Sequence, residues 1–359
     1  MFLSEFDYQL PSELIAQEPL ERRDLSRLLH LELGTGALHH HRFQELPELL
    51  CPGDLLIVNN TRVFPAKLRG RTDSGNVVEL LLVQPLRPER PEDNDRWEVL
   101  ARPAKKLRVG TMIVFGEGEL RARVAGVGEL GKRIVELAYQ GELYPVLERV
   151  GRAPLPPYIK RQDRHSLRDA EDRERYQTVY ASERGSVAAP TAGLHFTRAL
   201  LQSLGDRGIE VVELTLHVGY GTFQPIRTKT VEEHRMGAER YTIPEETAAA
   251  IARARGNRGR VVAVGTTTVR ALESAAVEPG RARPGSGVTE LYIFPGFRFQ
   301  VVDALLTNFH LPRSSLLLLV SAFGGVEPVK HAYREAVRER YRFYSYGDCM
   351  LLYPPSSKE

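Results

Sequence analysis

The chain has little that could hold it together by covalent or metal cross-links. Only 2 of its 359 residues are cysteine, Cys51 and Cys349, far apart and without metal-type spacing. A disulfide scaffold and a zinc ribbon are excluded as organising devices, and a reducing compartment is expected. Long apolar runs are missing too: the longest, Leu316–Val320, is far too short to span a bilayer. The opening MFLSEFDYQLPSE carries acids early and no basic start leading into an apolar stretch, so it does not read as a signal peptide. A cytoplasmic protein with no membrane partner is the expectation. Charge of one sign is also lacking. With 49 Lys and Arg against 46 Asp and Glu, the net charge is +3, so a nucleic-acid partner would have to be met by a local patch. Three adjacent histidines, His39–His41, tempt a metal reading. In a strand they point to opposite faces, and no acidic or cysteine ligands lie nearby, so no metal role is assigned.

What is present is ordinary globular material, 42% hydrophobic and 26% charged, long enough for two domains. From Ile209 onward strand-like and helix-like segments alternate. IEVVELTLHV reads as a strand, PEETAAAIARAR as a helix opened by proline, RVVAV as a buried strand, and GTTTVRALES as a loop and helix start. LYIF, VVDALLTNFH, SSLLLLVSAF and a helix from about Pro328 to Tyr341 complete the series. Thr197 is placed to cap a helix through about Leu204. The pattern predicts an α/β main domain with a mixed, largely parallel sheet. Between Phe64 and Arg152 the character changes. VVELLLV, RWEVLAR, TMIVF, LRARVAGV and KRIVELAY are short β-like runs cut by turns, which predicts an inserted all-β barrel. The expected division is 1–63 and 153–359 for the α/β catalytic domain and 64–152 for the barrel, with APLPPYI as a stiff return linker.

Four stretches of the main domain carry candidate chemistry. HVGYGTF is a glycine turn after a strand, but Gln224 stands where a dinucleotide fingerprint needs its third glycine. GTTTVRALES sets three threonines at a helix start, a donor-rich place for a carboxylate or phosphate. SVAAPTAGLHFT is a loop of small residues suited to a flat ring, and TNFHLPRSS brings Asn308 and His310 to a strand end. Basic residues recur at Arg102, Lys105, Lys106 and Arg108. They recur again near Arg342, interleaved with Tyr341, Phe343 and Tyr344, a mixture suited to looped RNA.

Taken in order, FDYQLPSELIAQEP, PGDLLIVNNTRVFPAKLRG, PLPPYI, YQTVYA, VAAPTAGLHFT, TLHVGYGTFQP, AVGTTTVRALES, FPGF, LLTNFHLPRSSLLLLVSAFGG and YRFYSYGDCML resemble the S-adenosylmethionine:tRNA ribosyltransferase-isomerase family of queuosine biosynthesis. The resemblance spans essentially the whole chain. It implies an α/β domain with an inserted β-barrel. It also implies a reaction in which the ribosyl part of S-adenosylmethionine is moved onto 7-aminomethyl-7-deazaguanine at the wobble position of tRNA and rearranged, giving epoxyqueuosine, adenine and methionine. S-adenosylmethionine is then a consumed co-substrate, with no cofactor and no metal, the expected partner is a tRNA with a G-U-N anticodon, and the enzyme is expected to be a monomer.

On that resemblance His217 and His310, then His195, are the acid/base candidates. S-adenosylmethionine contacts are expected from Pro190, Thr191, Ala192, Gly193, Gly219, Gly221, Phe223, Thr266, Thr267 and Thr268, and from Asn59, Asn60, Thr61 and Arg62. Lys105, Lys106, Arg152, Tyr158 and Arg342 are expected to meet tRNA. Tyr220 stands where relatives commonly carry a smaller or aliphatic residue. Two rival readings are an RNA methyltransferase using S-adenosylmethionine, for which the acidic glycine-rich loop is missing, and a non-catalytic RNA-binding protein.

Overall fold

A computed structural model describes residues 1–86, 95–128, 131–161, 166–219, 221 and 226–354. Its centre is a nine-stranded sheet. In spatial order the strands are Gly285–Thr289, Glu239–Ile243, Glu210–Leu216, Leu55–Asn59, Val261–Val264, Ala304–Asn308, Cys349–Tyr353, Arg27–Glu32 and Leu38–Arg42. The middle four, from Glu210–Leu216 to Ala304–Asn308, are mutually parallel. The flanks alternate: Cys349–Tyr353 runs antiparallel to Ala304–Asn308 but parallel to Arg27–Glu32, and both outer edges are antiparallel. The sheet is therefore evenly mixed rather than largely parallel. Only Leu38–Arg42 follows a tight return; the other antiparallel strands follow long connections, and a reading of alternating strands and helices does not reveal the direction of the strand that comes after them.

Three of the four parallel strands, LLIVN, VVAV and ALLTN, are buried along their whole length, because helices cover both faces. Strand periodicity divides them. Leu55 and Ile57 enter one core with Val261, Ala263 and Leu305; Leu56 and Val58 enter the other with Val262, Val264 and Leu306. Thr197 caps the helix Arg198–Asp206 by accepting from Leu200 N at 3.1 Å. LYIF, expected in the strand series, is irregular chain instead.

The inserted β-rich segment closes into a barrel. Lys67–Thr72, Val77–Pro85, Arg96–Arg102, Arg133–Tyr139, Leu120–Val127 and Met112–Phe115 pair in that order, and the last pairs back onto the first. Five of these six are the β-like runs read from sequence; Lys67–Thr72, half of whose residues are exposed charges, was not singled out. The helix Leu143–Val150 and the short strand Gly151–Arg152 lead out. The exit to the barrel is held by Thr61–Val63, which pairs in parallel with Glu183–Ser186. Val187, next in the chain, packs into the barrel core beside Phe64, so the loop that continues into Ala188–Ala192 touches both bodies.

Candidate active site

The carboxyl ends of the four parallel strands point to one edge, where α/β sheets bind ligands. There, Leu55–Asn59 delivers Asn59, Glu210–Leu216 runs into His217, Val261–Val264 runs into the threonines, and Ala304–Asn308 ends at Asn308 and His310. The antiparallel return of Cys349–Tyr353 brings Tyr344 and Ser345 to the same edge. Thr266, Thr267, Asn308, His310, Tyr344 and Ser345 line a cavity there of about 420 Å³, within the usual size of small-molecule sites. Ala188, Ala189, Pro190, Thr191 and Ala192 form one wall; Thr266 and Thr267, Thr307 with Asn308 and His310, and Leu311 to Ser314 form others. Pro157 and Tyr158 of the return linker complete it, and among the described residues no carboxylate lines it.

Each wall has a local reason. Gly265 sits at φ +89°, a left-handed turn that takes a strand straight into a helix. The first amides of the helix Thr266–Ser274 are thereby left facing the edge. The Thr266 hydroxyl has no protein partner among the described residues and Thr267 accepts from Asn59 Nδ2 at 3.2 Å, whereas the fully buried Thr268 donates back to Val264 O at 2.6 Å. Two threonines thus belong to the cavity and the third to the helix. Pro190, Thr191 and Ala192 line it, while Gly193 lies behind them. A Cβ there would collide with Tyr180 and Thr178, so this glycine serves close packing.

Asn59 is sealed in the sheet. Its amide donates to Leu216 O at 3.0 Å and its oxygen accepts from Leu216 N and Thr61 N, tying two strand ends together. Asn60 bonds Glu213 and Thr215, and Arg62 is exposed beside the barrel exit. None of the three lines the cavity. Gly219 N donates to Glu239 Oε1 at 2.8 Å, and Glu239 is ion-paired with Arg270, both nearly sealed from solvent. This buried pair anchors the glycine turn from behind. Gly221 is exposed with open space around it. Phe223 and Tyr220 lie outside the described residues.

The three histidines differ. His310 lines the cavity, its Nε2 2.8 Å from the Thr307 hydroxyl, its backbone N donating to Tyr333 and its carbonyl accepting from Tyr8. Burial pushes its pKa down to about 3, so it is neutral. His217 is half-buried at the cavity's flank, next to Val218, with Nδ1 2.9 Å from the Thr61 hydroxyl and its ring laid over Gly185. Burial, and the nearby Arg240 charge, lower its pKa. His195 is not in the cavity. Burial, with Arg342 and Arg23 nearby, brings it also to about 3. Its Nε2 lies 3.2 Å from Asn308 Nδ2 and its Nδ1 2.7 Å from Ser26 Oγ. Asn308 Nδ2 also donates to Tyr344 O and Asp348 O, which fixes it as the amide nitrogen. His195 Nε2 must then accept, and Nδ1–H donates to Ser26. With both ring nitrogens engaged and its face on Phe43, His195 is structural, a correction to its place among the catalytic candidates.

Of the residues expected on tRNA, Lys105 is exposed on the turn Ala104–Lys106. Arg152 pairs with Asp169 at 3.1 Å. Arg342 is half-buried and donates to Glu18 O, holding the loop behind His195. Tyr158 is a cavity residue, its ring stacked on Tyr344 with centroids 4.3 Å apart. Tyr344 itself, at φ +72°, is a strained non-glycine residue whose hydroxyl has no partner among the described residues. From sequence Tyr344 was read only as part of the basic and aromatic cluster suited to RNA, and Arg313, which lines the mouth in a loose pair with Asp7, was not singled out. Only their place in YRFYSYGD and HLPRSS pointed toward them.

Comparison with known proteins covers the same span. A family model described as queuosine biosynthesis protein matches residues 3–352. Curated proteins named S-adenosylmethionine:tRNA ribosyltransferase-isomerase from Pelotomaculum thermopropionicum and Symbiobacterium thermophilum are each 52% identical over 353 residues, covering 98% of this chain and 100% of theirs. A crystal structure of the S-adenosylmethionine tRNA ribosyltransferase from Thermotoga maritima is 40% identical with a TM-score of 0.54, covering 97% of this chain and 100% of that one.

Proposed function

The chain belongs to the S-adenosylmethionine:tRNA ribosyltransferase-isomerase family of queuosine biosynthesis, and we propose that the cavity at the carboxyl edge of its sheet is where S-adenosylmethionine is bound and consumed. The activity is transfer and isomerisation of the ribosyl moiety onto 7-aminomethyl-7-deazaguanine in tRNA, forming epoxyqueuosine with release of adenine and methionine. The observation that carries the assignment is the convergence of small-residue loop, helix amides, histidine and aromatic pair on one cavity at the strand ends.

In this reading the helix Thr266–Ser274 offers its first amides and the Thr266 and Thr267 hydroxyls to the methionine carboxylate. The faces of Tyr158 and Tyr344 suit the sulfonium and its neighbours, because a cation is attracted to an aromatic face. A sulfonium also acidifies the ribose C5′ hydrogens, and a base must accept one. His310, neutral and holding a proton only weakly, fits a hydrogen-bonding role; His217, less deeply buried, is the acid/base candidate. No cofactor is assigned. A tRNA with a G-U-N anticodon would approach past the barrel, with Lys105 on a phosphate, and the enzyme would act as a monomer in the cytoplasm. No helix among the described residues is long and apolar enough to cross a membrane.

Thr266→Val and Thr267→Val should raise KM for S-adenosylmethionine without weakening tRNA binding, and His217→Asn should lower the single-turnover rate by about 10²–10⁴. Unchanged KM in both threonine variants contradicts the placement. Production of S-adenosylhomocysteine in place of adenine and methionine would support a methyltransferase instead.

A further inference from the structure

The barrel strand Lys67–Thr72 turns Leu68, Gly70 and Thr72 inward and Lys67, Arg69 and Arg71 out to solvent. Register with its neighbours extends this basic face sideways. Arg71 stands opposite Val114, and Val114 opposite Arg121. Arg69 stands opposite Glu79, and Glu79 opposite Arg102. Lys67 stands opposite Arg152. Residues paired directly across a ladder share a face, so three rows gather six cations around one acid. Glu79 lies 3.5 Å from Lys67, with both side chains nearly half exposed, and Arg152 reaches Asp169. Among the described residues Arg69, Arg71, Arg102 and Arg121 have no ion pair. Around Arg133–Tyr139 the barrel's cations are spent differently: Arg96 and Arg123 share Glu136, and Lys132 holds Glu98.

Like charges set side by side on neighbouring strands cost stability unless something offsets them. We propose that this face of the barrel, Lys67, Arg69 and Arg71 with Arg102 and Arg121 beside them, is the track for the sugar-phosphate backbone of the tRNA anticodon arm. This rests on the reading of the cavity as the place where a tRNA nucleotide is modified. Continuity with that cavity supports it. A groove of about 130 Å³ lined by Lys67, Glu79 and Arg102 shares Pro157 with the cavity, and its Val187 is followed by Ala188 of the cavity wall. From there Lys67 to Arg71 covers about 13 Å at the rise of a strand. The outer end is a second groove of about 380 Å³, where Arg69 and Arg71 flank the exposed Val77 and Val114. Grooves suit a backbone that follows them, where a membrane would need a flat or protruding face. Four of the five cations are arginine, which meets phosphate oxygens two at a time. Lys105, on the turn after Arg102, continues the same block.

The test uses the whole enzyme and a transcribed tRNA with a G-U-N anticodon, its binding followed over a series of salt concentrations. Arg69→Gln combined with Arg71→Gln should lower the slope of log affinity against log salt by about two. At about 0.15 M salt it should weaken binding at least tenfold. Arg198→Gln combined with Arg207→Gln removes the same charge at the helix Arg198–Asp206 and should leave the slope unchanged. The barrel melt reported by Trp97 should not move down in the Arg69 and Arg71 variant, because like charges have been relieved. A merely structural role would lower that melt and leave the slope. Should the double variant fail to fold, Arg121→Gln alone should still lower the slope by about one. An unchanged slope in the barrel variants overturns the proposal, as does an equal fall in the control pair. So does charge-dependent binding to phosphatidylserine vesicles that the double variant loses while its tRNA slope stays that of wild type. Wild type that binds no tRNA at any salt would instead overturn the reading on which the proposal rests.

Discussion

Two buried neutral histidines at one sheet edge make the protein acid-sensitive by a calculable amount. His195 and His310 are each brought to about 3 from an ordinary 6.5, mainly by burial. A group whose folded pKa is depressed holds its stabilising contribution above the unfolded pKa. It loses that contribution as pH falls, because the unfolded chain takes up the proton first. Going from pH 7.5 to 5.5 crosses the unfolded value while staying well above the folded one. Each site then costs about 1.3 kcal/mol, and the two together about 2.6 kcal/mol. The perturbation is His310→Gln, which removes one titrating site. Its acid penalty should be smaller than that of wild type by about 1.3 kcal/mol, whatever the substitution costs at neutral pH. Other histidines with lowered pKa, His30, His217 and His234, add the same background to both proteins. The assay is urea unfolding at the two pH values, followed by far-UV circular dichroism, since most of the helices lie in the main body. The single tryptophan, Trp97, sits in the barrel core and its fluorescence reports that body separately. Equal acid sensitivity in wild type and variant would refute the claim that His310 is buried and neutral.

Three further expectations follow from the geometry. Gly185→Ala places a Cβ 2.7 Å from the His217 ring at a φ of +152°, so it should displace His217 from Thr61 and lower activity at least tenfold while the chain remains folded by circular dichroism. Arg270→Met strands the Glu239 carboxylate and should cost about 3–5 kcal/mol in urea unfolding, whereas Arg270→Met combined with Glu239→Leu should recover much of it. Lys105→Ala should reduce the salt slope of tRNA binding by about one, and an unchanged slope would remove Lys105 from the interface.

The architecture was largely legible because burial leaves a period. LLIVN, VVAV and ALLTN are too apolar and too short for surface helices, and the barrel runs are separated by turn residues. What was not legible is what closes the cavity. Tyr344 and Ser345 reach it only because Cys349–Tyr353 turns back antiparallel, and strand direction leaves no mark in composition. The threonine run was read as a donor cluster, and two of its three members are; which one turns inward depends on the helix phase set by Gly265. Asn59 to Arg62 were expected in the cleft because they follow a central strand, yet the chain there leaves for the barrel, and the Asn59, Asn60 and Thr61 side chains are spent on strand ends of the main sheet and on His217. His195, Asn308 and Ser26 meet across 113 and 169 residues of sequence, a contact that spacing cannot reveal.

The most direct test of the account is photolabelling with 8-azido-S-adenosylmethionine followed by peptide mapping. Label competed by S-adenosylmethionine is predicted in residues 188–192, 307–316 or 344–345, around the cavity. Competed label confined to the barrel strands between Lys67 and Tyr139 would contradict it.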